Sequence, residues 1–314
     1  MSTNVWILLA GLPPTYSFEG LNAESVNKVA PAAERCLGTT MMIYPVSAGI
    51  GFLTLFDATG DEKYFKAALR IAEYYKETVL PCGSWYLLYD CKTGKNLTDN
   101  ICIDFKFVDF FRTLYEKTGD EKWHELEIGH FNYIVEARLK TFNWEGQFED
   151  IKVSGNYANL THFTTDAMIN YITKHFANDE KMIDTATELM RYVEDQFVLW
   201  GEYPKRKWHE GLHFTPAGLE QYECYDPICS STSVIMDAFI NMYRLKKDRL
   251  YLEKALTLGD TITRMQVPED GKIPTFWMGE NCSYGHKNFW INCQIGTAFS
   301  MMKFAEFIEA EGIE

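Results

Sequence analysis

Apolar positions recur along this chain at intervals of three and four residues. After Asp61, the residues Tyr64, Ala67, Ala68, Ile71, Ala72 and Tyr75 fall on one face of a helix. The same register restarts downstream and predicts paired helices at about 101–117 and 120–139, 161–177 and 179–197, and 230–246 and 248–265. A helix after Pro45, running to about residue 58, precedes the 61–75 pattern, and a last one covers about 292–311. A further helix is predicted over about 23–37, with Asn22 as N-cap and Gly38 as its stop, which makes ten in all. Residues 1–20 read as irregular, broken by Gly11, Pro13, Pro14 and Gly20.

Each pair of helices meets at a recurring phrase. It reads Thr59-Gly60-Asp61-Glu62-Lys63-Tyr64, then Thr118-Gly119-Asp120-Glu121-Lys122-Trp123, then Asn178-Asp179-Glu180-Lys181-Met182, then Lys247-Asp248-Arg249-Leu250-Tyr251. The Asp positions are separated by 59, 59 and 69 residues. A repeat of this length is one supersecondary unit that must stack on its neighbours to bury its apolar face. Gly60 suits the left-handed residue that ends a helix, and Asp61 suits the N-cap of the next. The connections on the other side are long, at about 79–100, 140–160, 198–229 and 266–291, and each mixes aromatics, Gly and polar groups with short strand-like pieces. Long loops on a rigid scaffold are where binding and catalysis concentrate.

Composition narrows the function. With 314 residues, 46% of them hydrophobic, the chain can bury a large core, and no linker interrupts the repeat, so one domain over 1–314 is expected. A net charge of −14 argues against nucleic acid and anionic membrane surfaces as partners. No run reaches transmembrane length. Val5 to Ala10 is too short for a signal core and lacks a basic flank. The compartment is therefore open between cytoplasm and, if a leader has been removed, the bacterial periplasm. Among eight Cys no CxxC occurs; Cys82 with Cys91, or Cys224 with Cys229, could pair, and buried free thiols are expected for most. No metal-ligand spacing and no phosphate-cradling Gly-rich loop is present, so no cofactor is expected. The oligomeric state is left open.

Helical hairpins of this length, with short Thr-Gly-Asp-Glu-Lys-Tyr turns opposite aromatic-rich loops, resemble the all-α (α/α) toroid of the six-hairpin glycosidases and their relatives over residues 40–311. That resemblance implies a carbohydrate-active enzyme whose site lies on the long-loop side, with an oligosaccharide or polysaccharide as partner. Its known members include glycoside hydrolases, unsaturated uronyl hydrolases, polysaccharide lyases and sugar epimerases.

Glycoside hydrolysis needs two carboxyl groups across a sugar. In the loop Trp144-Glu145-Gly146-Gln147-Phe148-Glu149-Asp150, an extended backbone would put Glu145, Gln147 and Glu149 on one side, with Trp144 beside them as a sugar platform. A second loop holds Arg206, Trp208, His209 and Glu210, followed by Tyr225 and Asp226. Its Lys205-Arg206-Lys207 cluster is what a uronate carboxylate would need. Asp104 is expected one turn into a helix, partly buried, with its pKa raised toward that of a general acid. His162 and Asp166 stand at i and i+4 and could pair. Ser230 or Ser231, and Asn292 or Gln294, hold the matching helix starts, and His286 and Trp290 complete the set. Glu145, Glu149, Asp104, Asp166 and Glu210 are the candidate catalytic acids, and hydrolysis of a glycan containing uronic acid is the expected reaction. Epimerisation or elimination would instead use His162, His209, Tyr225 and His286. A glycan-binding toroid without catalysis would need only the aromatics.

Overall fold

The computed structural model describes residues 38–142, 144, 161–201, 215–221, 224–275, 277 and 289–313. Its Cα positions group into two units, Met1–Ser154 and Gly155–Glu314. In unit 1, strand β1 (Thr39–Met41) leads into helices α1 (Ile43–Thr59) and α2 (Glu62–Thr78). Strand β2 (Leu88–Asp90) follows, then α3 (Lys106–Thr118), α4 (Glu121–Ile134) and a π-turn (Val135–Leu139). In unit 2, α5 (Phe163–His175) and α6 (Glu180–Phe197) precede β3 (Val198–Leu199), β4 (Ala217–Gln221) and β5 (Cys224–Pro227). Helices α7 (Cys229–Lys246), α8 (Arg249–Met265) and α9 (Ile291–Glu311) complete it. The predicted 23–37 helix lies outside the described residues.

The recurring phrase behaves as its chemistry requires. Asp61, Asp120, Asp179 and Asp248 are all N-caps in extended conformation, and their carboxylates accept from Lys63, Lys122, Met182 and Leu250 N–H respectively. Gly60 and Gly119 take φ of 67° and 66°, and their N–H groups close the preceding helices on Phe56 and Tyr115 carbonyls. The fourth copy lacks Gly, and Lys247 adopts the left-handed conformation instead, at φ 53°. The period also shows in contacts between neighbouring hairpins. Lys117 pairs with Asp57 and Lys254 with Glu194, each across 60 residues of sequence. Such exposed pairs contribute little energy each; their value is in showing that equivalent positions meet.

Most predicted helix limits shift by only one or two residues. The larger departures are at the end of α4 and at the start of α3, which begins at Lys106 rather than 101. Residues 101–105 are held in the loop layer instead: Cys102 N–H donates to Trp85 O at 2.7 Å, and Ile101 bridges to Tyr86. The predicted 120–139 helix ends as α-helix at Ile134. Lys140 N–H then reaches back five residues to Val135 O at 2.9 Å, which makes the last turn a π-turn. The strand-like pieces expected in the long loops are real. β1 pairs antiparallel with β2 in the register Thr40↔Tyr89, and β3, β4 and β5 form an antiparallel sheet in that order.

The core of unit 1 is aromatic. Trp85 is fully buried, stacks on Phe107 with centroids 4.6 Å apart, meets Tyr75 edge-on at 5.4 Å, and donates Nε1–H to Tyr75 O at 2.8 Å. One loop residue thus ties α2 to α3. Behind it, the Gly83 backbone comes so close to Gly129 that a Cβ would lie 2.4 Å from the Gly129 oxygen, and its φ of +86° suits only Gly. His130 is fully buried against Trp85 and Phe107, with Nε2 3.1 Å from Asp104 O. In unit 2, α7 packs against α5, α8 and α9, and eleven of its 18 residues are buried. Cys102, Cys229 and Cys293 are buried free thiols as expected. Cys82 and Cys91 are free and exposed rather than paired. Among the described residues no helix is long and apolar enough to cross a membrane.

Two predictions follow from these joints. Replacing Asp61, Asp120, Asp179 or Asp248 with Ala removes a cap, whereas Ser in its place keeps one. Each Ala variant should lower the thermal midpoint by a few degrees, with near-additive losses between separate turns, and each Ser variant should recover most of it in thermal unfolding. Burial also pulls the His130 pKa from 6.5 down to about 4. The unfolded chain therefore binds this proton more readily than the fold does. The resulting stability is complete above pH 6.5 and is lost as pH falls toward 4, by roughly 3 kcal/mol in total. Urea titrations from pH 7.5 to 4 should show this loss, and His130→Asn should flatten that part of the profile.

Candidate active site

The start of α5 is built around a proton-sharing pair. The Phe163–His175 helix begins with His162 at its N-cap, and Asp166 lies one turn inside. Four residues of helix bring their side chains onto one face, and the His162 Nδ1 meets Asp166 Oδ2 in a direct hydrogen bond. The turn is fixed from the backbone as well: Asp166 N–H donates to His162 O at 3.0 Å, and the Thr165 hydroxyl donates to the same oxygen at 2.5 Å. Phe163 and Phe197 pack against the imidazole with centroids at 4.4 and 5.2 Å. His162 is 0% exposed and Asp166 4%, so the pair sits in a low-dielectric wall.

Burial raises the Asp166 pKa, and the attraction of His162 and its hydrogen bond pull the other way. The outer atoms of the pair, His162 Nε2 and Asp166 Oδ1, have no hydrogen-bond partner among the described residues. A buried imidazole and carboxyl so arranged can hold one proton between them and pass it from either outer atom. Tyr192, whose hydroxyl donates to Thr161 O at 3.3 Å, lies close enough that the Asp166 charge adds to burial in pushing its pKa up.

One further carboxyl belongs to this neighbourhood. Asp237, two turns into α7, accepts from Ser300 Oγ at 2.7 Å. Its pKa is raised by burial, with the Asp166 charge adding to the shift and Ser300 and Lys303 opposing it. Sequence reasoning missed it. Its signal was a single acid in the apolar run Val234-Ile235-Met236-Asp237-Ala238-Phe239-Ile240.

Asp104 is a correction. The later start of α3 leaves it two residues ahead of the helix rather than one turn inside. There it accepts from Lys106 N–H at 2.9 Å and faces Lys106 Nζ at 3.5 Å, with 24% of its side chain exposed. Trp144 is 2% exposed, with its ring edge-on to Phe142 at 6.0 Å. Trp290 is half-buried at the N-cap of α9, and its N–H donates to Thr275 Oγ1 at 2.8 Å. Ser231 is buried, Ser230 donates to Cys293 Sγ at 3.6 Å, Asn292 is exposed and Gln294 half-buried. Tyr225 and Asp226 lie on β5, where only the backbone is described. Glu145, Gln147, Glu149, Arg206, Trp208, His209, Glu210 and His286 lie outside the described residues. Among the described residues no three His, Cys, Asp or Glu side chains gather as a metal site.

This fold is shared with enzymes that act on sugars. The chain is similar to a cellobiose 2-epimerase from Spirochaeta thermophila, with a TM-score of 0.61 and 12% identity over 86% of this chain and 72% of that one. It is similar to a family GH76 α-mannanase from Bacteroides thetaiotaomicron, with a TM-score of 0.59 and 16% identity over 87% and 71%. A third likeness is to an α-1,6-mannanase from a Salegentibacter species, with a TM-score of 0.50 and 14% identity over 74% and 62%. That protein is an inactive variant with two consecutive aspartates replaced by asparagine, in complex with α-1,6-mannotriose. No family model matches the chain, and no curated protein matches it in sequence. The likeness shows the fold: this chain has the all-α (α/α) toroid fold of the six-hairpin glycosidases, as its turns and loops led us to expect.

The pair is testable as an energetic unit. Removing one partner of a buried, hydrogen-bonded pair strands the other, so His162→Gln and Asp166→Asn should not be additive. A double-mutant cycle by chemical denaturation should return a coupling of about 1–3 kcal/mol. A value near zero would mean that the two side chains do not interact.

Proposed function

We propose that the chain is an enzyme acting on an oligosaccharide by acid–base chemistry, with His162 and Asp166 as its proton-transfer pair. The single observation that carries this reading is the buried His162–Asp166 hydrogen bond at the loop-side start of α5, with both outer atoms unpartnered among the described residues. The fold shared with a mannanase and a sugar epimerase supports the substrate class.

Glycoside hydrolysis is the reaction we assign first. A leaving-group acid must hold its proton near neutral pH, and burial favours the protonated form of Asp166. Hydrolysis also needs a second carboxyl group. The Lys205-Arg206-Lys207 cluster supports a glycan containing uronic acid. The arrangement differs from that of the Salegentibacter mannanase, because no two aspartates are adjacent anywhere in this chain.

A second reading, epimerisation, is favoured by which ring nitrogen the hydrogen bond engages. The Asp166 carboxyl engages Nδ1, which leaves Nε2 as the outer atom of an oriented imidazole, the form suited to removing and returning a carbon-bound proton.

Solvent isotopes separate the two. In oxygen-18 water, hydrolysis places the label in the newly formed reducing end. In deuterium oxide, epimerisation places deuterium on a sugar carbon. For hydrolysis, Asp166→Asn should lower kcat by at least about 100-fold, while His162→Gln mainly shifts the pH profile. For epimerisation the larger loss should fall on His162→Gln. Both variants turning over a panel of oligosaccharides at the wild-type rate would remove the pair from the mechanism.

A further inference from the structure

Unit 2 carries a second concave site that the proton-transfer pair does not use. Lys174 of α5, Arg244 of α7 and Lys303 of α9 line a cleft of about 280 Å³, together with Asn170, Asn241 and Asp237. Helix geometry fixes its distance from the pair. Lys174 lies eight residues beyond Asp166 on α5, about 12 Å along the axis.

The cleft gathers cations in a chain whose net charge is −14. Elsewhere on the helices some basic side chains find an acid: Lys63, Lys117, Lys122, Arg249 and Lys254 pair with carboxylates. Lys174, Arg244 and Lys303 are exposed, and among the described residues none of them forms an ion pair. The carboxyl beside them is held by another group: Asp237 accepts from the Ser300 hydroxyl at 2.7 Å, and burial raises its pKa against the pull of Ser300, Lys303 and Arg244. The guanidinium is also held in place. Arg244 lies over the Phe307 ring at 5.2 Å, and its Nη1 donates to Asn241 Oδ1 at 3.5 Å, while Asn241 Nδ2 reaches Asn170 Oδ1 at 3.5 Å. Three helices thus supply three cations, none of them ion-paired among the described residues, and two amides around one space.

We propose that this cleft binds the oxyanion of a small, monosaccharide-sized molecule, a carboxylate or a phosphate ester. An Arg fork with two flanking ammonium groups matches either anion. The volume lies at the small end of ligand pockets, which run to roughly 300–1,000 Å³, and so suits a single unit rather than a polymer. The site goes beyond the acid–base reading above and stands independently of it.

Calorimetric titration with inorganic phosphate, D-glucuronate and D-glucose, at low ionic strength on the full chain, tests the proposal. Saturable binding of phosphate or glucuronate is expected, with no binding of glucose. The tighter of the two anions identifies the source as a phosphorylated sugar or a uronic acid. Arg244→Gln and Lys303→Gln should each weaken it by about tenfold or more. Lys174→Gln, an exposed change with little bearing on folding, should also weaken it and serves where Arg244→Gln fails to fold. Asp166→Asn should leave anion affinity within a few-fold, which separates this site from the proton-transfer pair. No binding of either anion would overturn the proposal. So would equal binding of glucose, or unchanged affinity in the Lys174 and Lys303 variants.

Discussion

A helix of 17 residues standing alone in water is barely stable, because nucleation is costly and its apolar face has nowhere to go. This fold answers that constraint with one joint. An Asp carboxylate caps the second helix of each hairpin, and in three of the four a left-handed residue closes the first, as at Gly60-Asp61 and Gly119-Asp120. The joint holds the two helices antiparallel and close, so each buries its apolar stripe on the other. Within each unit, the neighbouring hairpin buries more of what remains exposed. At the fourth joint Lys247 accepts the left-handed conformation that Gly takes at the first two.

Tight turns at one end of each hairpin force the irregular chain to the other end, and there the repeats differ. Trp85 drops from its loop into the core and becomes a packing residue. At the start of α5 the buried side chains are instead an imidazole and a carboxyl. Two polar groups in an apolar wall are costly unless they satisfy each other, which is why His162 and Asp166 bond directly. The same burial gives them their chemistry, since it favours the neutral carboxyl and makes the location of one proton sensitive to whatever approaches Nε2 or Oδ1.

The helices were legible because their signals are local. The turn phrase, the helical spacing and the capping Asp all act within a few residues, so boundaries came out close. The error at Asp104 had a non-local cause. Cys102 N–H bonds to Trp85 O across 17 residues of sequence, and that bridge keeps 101–105 out of the helix. Periodicity carries no trace of such a contact. The His162–Asp166 pair was legible because i and i+4 share a face on any helix. Asp237 was not, because its partner Ser300 is 63 residues away and its burial depends on how α7 and α9 pack. The loop carboxylates of 143–150 remain readings of sequence alone.

The acidic character of the chain bears on how the cationic cleft can work. A net charge of −14 gives a long-range field that repels anions, and salt screens that field over about 10 Å at 0.1 M. The attraction from Lys174, Arg244 and Lys303 acts at contact distance, where ions screen it less. An anion that reaches the cleft is therefore held by short-range geometry rather than drawn in by the protein as a whole. Added salt weakens the contact attraction but also relieves the background repulsion, so the two effects partly cancel. This balance favours a ligand that fits the three side chains over any small anion that merely carries charge. It also gives a physical reason for an acidic protein to gather three cations around one space.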